Sequence, residues 1–227
     1  MIREFFTSRH GGISSGRFAD FNLALHVADD PAAVSANREI LAKALGLTSD
    51  RIFYMDQVHG NEIAFIERSR PSAQIPKVDA LITEESGTAL VVLVADCIPL
   101  LFRSPKAIAA VHVGRAGLIK GIVEATIARL ISLGSKVNDI SAALGPSICG
   151  NCYEVSPDIY LEVISIYPAT ATNLEKHCLD LPAGVISILD SYEIDYSREN
   201  SCTAHGENLF SYRRDGVTGR QAGVIAW

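Results

Sequence analysis

Residues 90–95, Leu-Val-Val-Leu-Val-Ala, constrain the fold more than any other stretch of the chain. Successive side chains along a strand point to opposite faces, so six apolar residues in a row demand cover on both faces of their sheet. Such a strand belongs inside a layered structure, and residues 108–112, Ile-Ala-Ala-Val-His, predict a second one of the same kind.

The surrounding pattern alternates strands and helices. Phe5-Phe6-Thr7 predicts a first strand entering the Gly11-Gly12 turn. Asp30 caps a helix with Pro31 at its first position and Gly46 at its end, and Val34, Leu41 and Leu45 share one face. Residues 52–66 read as strand, a short break at 57–61, then strand. Residues 117–133 carry Leu118, Ile122, Val123, Ile127, Leu130 and Ile131 at helical spacing, with Gly134 as the stop. A strand over 140–144, helices near 157–166 and 182–191, and a last strand at 222–226 complete the reading. No internal repeat or low-complexity linker divides the 227 residues, so 1–227 is expected to be a single domain. The class is α/β or α+β with mixed sheets.

Composition narrows the partners. A net charge of −6 with no basic run argues against nucleic acid, whose phosphates demand a positive face, but leaves room for a small anionic substrate in a local cationic pocket. No apolar run approaches the roughly 18–20 residues that span a bilayer, and the N-terminus lacks the pattern of a signal peptide. A cytoplasmic enzyme, monomeric or a small homo-oligomer, is the expectation. The five cysteines are scattered at 97, 149, 152, 178 and 202, which is no disulfide framework. Cys149-Gly-Asn-Cys152 has the C-x-x-C spacing of a redox pair or half a zinc site, yet no second C-x-x-C accompanies it, and two ordinary thiols near a turn is the plainer reading.

Three segments carry chemistry: Gln-Val-His-Gly at 57–60, Ala-Asp-Cys-Ile-Pro at 95–99 and Val-His-Val-Gly-Arg-Ala-Gly at 111–117. Each presents one donor, His59, Cys97 or His112, at the end of an apolar run. Two imidazoles and a thiolate suit a catalytic zinc with an open fourth position, and they equally suit copper or a Cys–His nucleophile pair. Sites of open α/β sheets form outside strand ends, where three such donors can converge. The competing view makes the histidines hydrogen-bonded structural residues and the cysteine a small hydrophobe. Pro99 is expected to stop the ladder after Cys97, and Asp96 is either a turn former, a ligand-orienting carboxylate or a general base. The small-residue turn at 113–117 opens a helix, an anion-ready place where Arg115 adds a cation. Arg9 beside Gly11-Gly12, and Arg213-Arg214 beside Phe210 and Tyr212, are further cationic segments with a solvated-turn alternative.

Taken together, Ser-Arg-His-Gly-Gly-Ile-Ser, Phe-Asn-Leu at 21–23, Asp-Gln-Val-His-Gly, Ala-Asp-Cys-Ile-Pro, Gly-Pro-Ser-Ile, Tyr-Glu-Val at 153–155 and Phe-Ser-Tyr-Arg-Arg-Asp resemble, in order and over essentially the whole chain, the YfiH-type family. Its members are called laccase-domain or "polyphenol oxidase" proteins and also purine nucleoside phosphorylases. The resemblance implies one layered α/β domain, with a fold-level likeness to a toxin's Cys–His deamidase. It implies zinc on His59, Cys97 and His112, with Arg9 also catalytic, and Arg9, Asn22, Arg115 and Arg213 as substrate or phosphate contacts. The implied activity is phosphorolysis of adenosine, inosine, guanosine and methylthioadenosine, with adenosine deamination at the same site. Copper-dependent phenol oxidation and a Cys97–His112 hydrolase are the alternatives. The family's His-Ala-Gly-Trp-Arg-Gly is here His112-Val113-Gly114-Arg115-Ala116-Gly117, so the cation stands one residue earlier, and Asn151 replaces a family thiol before Cys152.

Zinc chemistry fits the phosphorylase and deaminase reading, because a zinc-bound water ionises near neutrality. A multi-copper cluster needs more histidines than the six present. A thiolate held by zinc cannot also act as a nucleophile.

Overall fold

The computed structural model describes residues 1–67 and 75–227. In chain order the elements begin with β1 (Arg3–Phe6), α1 (Pro31–Leu45), β2 (Ile52–Phe53), β3 (Ile63–Phe65) and β4 (Ala80–Thr83). Next come β5 (Ala89–Val94), β6 (Ile98–Arg103), β7 (Ile108–Val113), α2 (Arg115–Ile119), α3 (Ile122–Ser132) and β8 (Ser141–Leu144). The chain ends with α4 (Pro157–Ile166), β9 (Ala171–Asn173), β10 (Cys178–Leu179), α5 (Leu181–Ser191), β11 (Asp195–Arg198), α6 (Tyr212–Asp215) and β12 (Gln221–Ala226).

Two mixed sheets stack. One has strand order β1-β12-β5-β2, the other β11-β8-β6-β7-β4-β3, and β9 with β10 forms a small separate ribbon. The all-apolar β5 explains the arrangement. Leu90, Val92 and Val94 pack with Leu81, Leu101, Ile108, Ala110 and Ala143 of the six-stranded sheet, while Ala89, Val91 and Leu93 pack with Leu41, Ala42 and Leu45 of α1 and with Phe21, Leu23 and Val27. The outer face of the six-stranded sheet, including Ile82, Leu100, Phe102 and Val111, is covered by Leu118, Val123, Ile127, Val163 and Val185 from α2 to α5. Four layers result: a helix with its loop, sheet, sheet, helices. The mixed α/β architecture agrees with the sequence expectation.

Helix α1 has the anticipated ends. Asp30 accepts from the Ala32 N–H at 3.0 Å, Pro31 opens the helix, and Gly46 closes it at φ 68°. The two strands read within 52–66 are present as β2 and β3 but lie in different sheets: β2 pairs with β5 and β3 with β4, so residues 54–62 cross between layers. Two expectations are corrected. The helix expected over 117–133 is two helices, α2 and α3, because Gly121 takes a left-handed φ of 78° between them. Pro99 does not stop the ladder: β6 runs through it, with Pro99 opposite His112. The His112 N–H instead binds the Asp79 carbonyl at 2.8 Å, and pairing of β6 with β8 begins at Leu100, so no ladder bond needs a proline N–H.

The chain passes from one sheet to the other between β5 and β6, across Ala95, Asp96 and Cys97, with Asp96 at φ 102°. Leu101 is fully buried between the two sheets. Leu101→Ala should cost about 2–5 kcal/mol, the range for deleting a large aliphatic side chain from a rigid core. Urea unfolding followed by tryptophan fluorescence should show a lower midpoint at unchanged slope.

Candidate metal centre and substrate pocket

His59, Cys97 and His112 converge. Their ligand atoms all lie within 4.8 Å of one another, the His59 Nε2 is 4.0 Å from the Cys97 Sγ, and the two imidazoles meet edge to face with centroids 4.7 Å apart. Zn–S and Zn–N bonds of about 2.3 and 2.0 Å together reach about 4.3 Å, so an ion fits between that sulfur and nitrogen. His112 is buried in β7, Cys97 is half-buried at the crossing between sheets, and His59 is exposed in the crossing loop. Both crossings need left-handed backbone, at His59 (φ 58°) and at Asp96 just before Cys97. Strained non-glycine residues of this kind persist where surrounding structure over-determines them.

Asp79 supplies that determination. Its carboxylate is fully buried at the start of β4 and accepts from three successive backbone N–H groups, Val58 at 3.2 Å, His59 at 3.0 Å and Gly60 at 2.6 Å. It also takes the His112 Nδ1 at 2.7 Å, which leaves Nε2 for the ligand side. The crossing loop is tied down elsewhere as well. The Gln57 amide makes two bonds to the Leu93 backbone, and the Lys120 ammonium donates to the His59 carbonyl at 3.2 Å.

Gly114 completes the convergence by its lack of a side chain. A Cβ there would meet His59 Cδ2 at 2.9 Å and Cys97 Sγ at 3.2 Å. The small-residue turn after His112 is thus a steric requirement of the donor cluster. The helix it opens has five residues and no side-chain cap.

The electrostatics are those of an ion pair. Burial alone would raise the Cys97 thiol, but the charge of His112 and hydrogen bonds from His112 and His59 bring it down to about 6. Burial alone would lower His112, and the Cys97 thiolate together with the Asp79 hydrogen bond pushes it up to about 9. For Asp79 the penalty of burial is outweighed by the bonds from His112, Gly60 and His59, which hold it below its ordinary value. Between these limits, at neutral pH, the metal-free pair is thiolate and imidazolium.

A cavity of about 350 Å³ opens beside the donors. That size suits a small organic ligand. Its walls include Leu93, Val94, Ile148, Tyr153 and Tyr212, with His26, Arg213 and Arg220 as polar groups. Of the substrate contacts expected from the sequence, Arg213 lines this cavity and Arg9, Asn22 and Arg115 do not. Arg9 donates to the Ala19 carbonyl at 2.9 Å and stacks its guanidinium on Phe210. Asn22 is fully buried, bonded to Asp29 and to Ala24, and accepts from the Arg220 N–H at 2.9 Å, so it holds the backbone of a cavity residue. Arg115 pairs with Glu162 at 3.4 Å. Asp96 proves to be a clamp: its carboxylate accepts from Thr203 Oγ1 at 2.6 Å, Ser211 Oγ at 2.7 Å and the Arg213 N–H at 2.6 Å.

His26, Arg220 and Asp79 were not anticipated. His26 lies in a single 3-10 turn, Leu25–Val27, and Arg220 in a loop, neither with a periodic signal. Asp79 did leave a trace, a lone carboxylate between Val78 and the apolar run Ala80-Leu81-Ile82.

Three outcomes are expected. In metal-stripped protein, alkylation of Cys97 followed by peptide mass spectrometry should rise with a midpoint near pH 6, because the depressed thiol stays ionised until the pH falls through that value. Asp79→Asn should move the midpoint upward by weakening the imidazolium. Gly114→Ala should abolish metal retention at this cluster while leaving all three donors in place, read by elemental analysis of the folded variant.

A family model described as multi-copper polyphenol oxidoreductase laccase matches residues 3–227. A protein of Streptomyces coelicolor named purine nucleoside phosphorylase is 41% identical, over 97% of this chain and 93% of its own length. One of Corynebacterium glutamicum with the same name is 42% identical, over 99% and 94%. Among solved structures, YlmD of Geobacillus stearothermophilus superposes with a TM-score of 0.91 at 30% identity, covering 99% of this chain and 91% of that one. A Neisseria meningitidis protein gives 0.88 at 32% identity, covering 99% and 93%. With its whole length matched in sequence and fold, the chain belongs to the laccase-like, YfiH-type family.

Proposed function

We propose that this protein is a zinc-dependent purine nucleoside phosphorylase acting on adenosine, inosine, guanosine and methylthioadenosine, with adenosine deamination at the same site. The observation that carries the reading is the cavity itself: a three-donor cluster at one end, aromatic walls, and two arginines in reach of one small ligand. The relatives' names point the same way.

His59, Cys97 and His112 would hold the zinc, leaving a coordination position toward the cavity. When bound, zinc supplies Lewis acidity and a water that ionises near neutral pH. Tyr153 and Tyr212 offer aromatic faces for a purine. Arg213 and Arg220 supply positive charge for phosphate, whose oxygen bonds to the ribose anomeric carbon as the bond to the purine nitrogen breaks. Arg213 and Arg220 are preferred for the phosphate because they line the cavity; Arg9 is bonded to the Ala19 carbonyl, and Arg115, paired with Glu162, touches the cavity only through Tyr153. Burial, and then the charge of Arg220, hold His26 below its ordinary value, so it stands on the cavity wall as a neutral imidazole able to accept a proton. A cytoplasmic setting suits this chemistry, since nucleosides, phosphate and reduced thiols coexist there.

Copper would suit the same donors. Of the other four histidines only His26 lines the cavity, while His10 sits on Asn208, His177 against Tyr160 and His205 beside Cys152, so among the described residues no multi-copper array forms around the cavity. The Cys97–His112 ion pair favours a hydrolase reading only for the metal-free protein.

Incubation of the purified protein with inosine or adenosine should release purine base and ribose 1-phosphate in proportion to added phosphate. Base release at an unchanged rate in phosphate-free buffer would show hydrolysis instead. Arg220→Ala should raise the KM for phosphate by about 10- to 100-fold, equivalent to the 1.5–3 kcal/mol of a hydrogen bond to a charged group.

A further inference from the structure

Outside the cavity, a second set of soft donors converges. Cys149, Cys152, Cys202 and His205 place one ligand atom each within 4.8 Å of all the others. The sequence pattern is Cys-Gly-Asn-Cys followed 50 residues later by Cys-Thr-Ala-His, two segments with the same spacing. The partner that Cys149-x-x-Cys152 lacks as a second C-x-x-C is present as a C-x-x-H.

We propose that Cys149, Cys152, Cys202 and His205 form a second, structural zinc site. The two segments fold alike. The Cys149 carbonyl accepts from Cys152 N at 3.0 Å and Tyr153 N at 3.2 Å, and the Cys202 carbonyl accepts from His205 N at 3.2 Å and Gly206 N at 2.8 Å. Each is a one-turn knuckle that aims its first and fourth side chains the same way, and Ser147 and Cys202 join the knuckles by a parallel bridge. The Cys149 N–H points at the Cys202 sulfur at 3.3 Å, and the Cys152 sulfur lies 3.1 Å from the His205 Nε2. Three thiolates and one imidazole make a closed tetrahedral set of the kind that holds structural zinc, in contrast to the three-donor cluster with its open position.

The site has a job in the fold. One knuckle belongs to the loop that presents Ile148 and Tyr153 to the cavity, and the other to the segment leading to Tyr212 and Arg213. Both loops hang on Asp96, through the Ile148 N–H to its carbonyl at 2.9 Å and through Thr203, Ser211 and Arg213 to its carboxylate. Arg213 also reaches across to the carbonyls of Cys152 at 3.3 Å and Glu154 at 3.0 Å. A zinc at the knuckles staples two walls of the cavity to each other from behind.

The decisive protein is Cys97→Ala, which disables the first cluster and leaves all four donors of the second intact. Elemental analysis should find about two zinc ions per wild-type chain and about one in Cys97→Ala. Cobalt substituted into Cys97→Ala should give the visible bands of a tetrahedral thiolate-rich site. His205→Ala in that background should lose the ion, and His205→Cys should keep it, since four thiolates bind zinc equally well. A folded Cys97→Ala chain free of zinc, or one whose Cys149, Cys152 and Cys202 include a disulfide after anaerobic purification, overturns the proposal. Failure at the first cluster reads differently, as equal zinc in wild type and Cys97→Ala.

Discussion

A buried carboxylate organises the site. Asp79 has no exposed surface, and its one cationic partner among the described residues is His112. A charge withdrawn from water in this way is tolerated only when its oxygens are fully bonded. Asp79 meets that demand with His112 on one side and the amides of Val58, His59 and Gly60 on the other. The same four bonds orient one donor imidazole and force the loop that carries the second into its left-handed turn. Removing the carboxylate would release both.

The layers explain why the third donor arrives there. Cys97 lies where the chain leaves β5 of one sheet and enters β6 of the other, so it stands at the seam between them. His59 lies on the other crossing, between β2 and β3, and His112 lies on the strand beside β6. Crossings between packed sheets are places where backbone must turn sharply and cannot fill space with its own ladder. The cavity opens at this seam, walled by β5 residues Leu93 and Val94 and by loops from the C-terminal half.

The two donor clusters differ in a way that matters for chemistry. The cluster in the cavity has three ligands and an ion-paired thiolate, a reactive arrangement that metal would quench and exploit. The cluster behind the wall has four candidate ligands supplied by two knuckles, and none of them lines the cavity. The first would act and the second would hold. Asp96 links them, since its peptide carries Cys97 while its carboxylate and carbonyl gather both knuckle-bearing segments.

Much of this was legible in the sequence because it is written in local signals. The apolar run of β5, the capped helix α1 with Asp30, Pro31 and Gly46, the strand that carries His112 and the three donor-bearing segments each depend on residues a few positions apart. Their placement at element ends allowed convergence, and the family resemblance implied it. Tertiary structure alone decided which sheet β2 and β3 join, that Gly121 splits a helix whose apolar spacing runs on through it, and that Asp79 anchors both histidine segments. It also decided that Arg220 and His26 line the cavity while Arg9, Asn22 and Arg115 do not. The Cys152–His205 contact spans 53 residues. Periodicity and capping act within a turn or two of chain, whereas the direction of a loop side chain is set by whatever packs against it from elsewhere in the sequence.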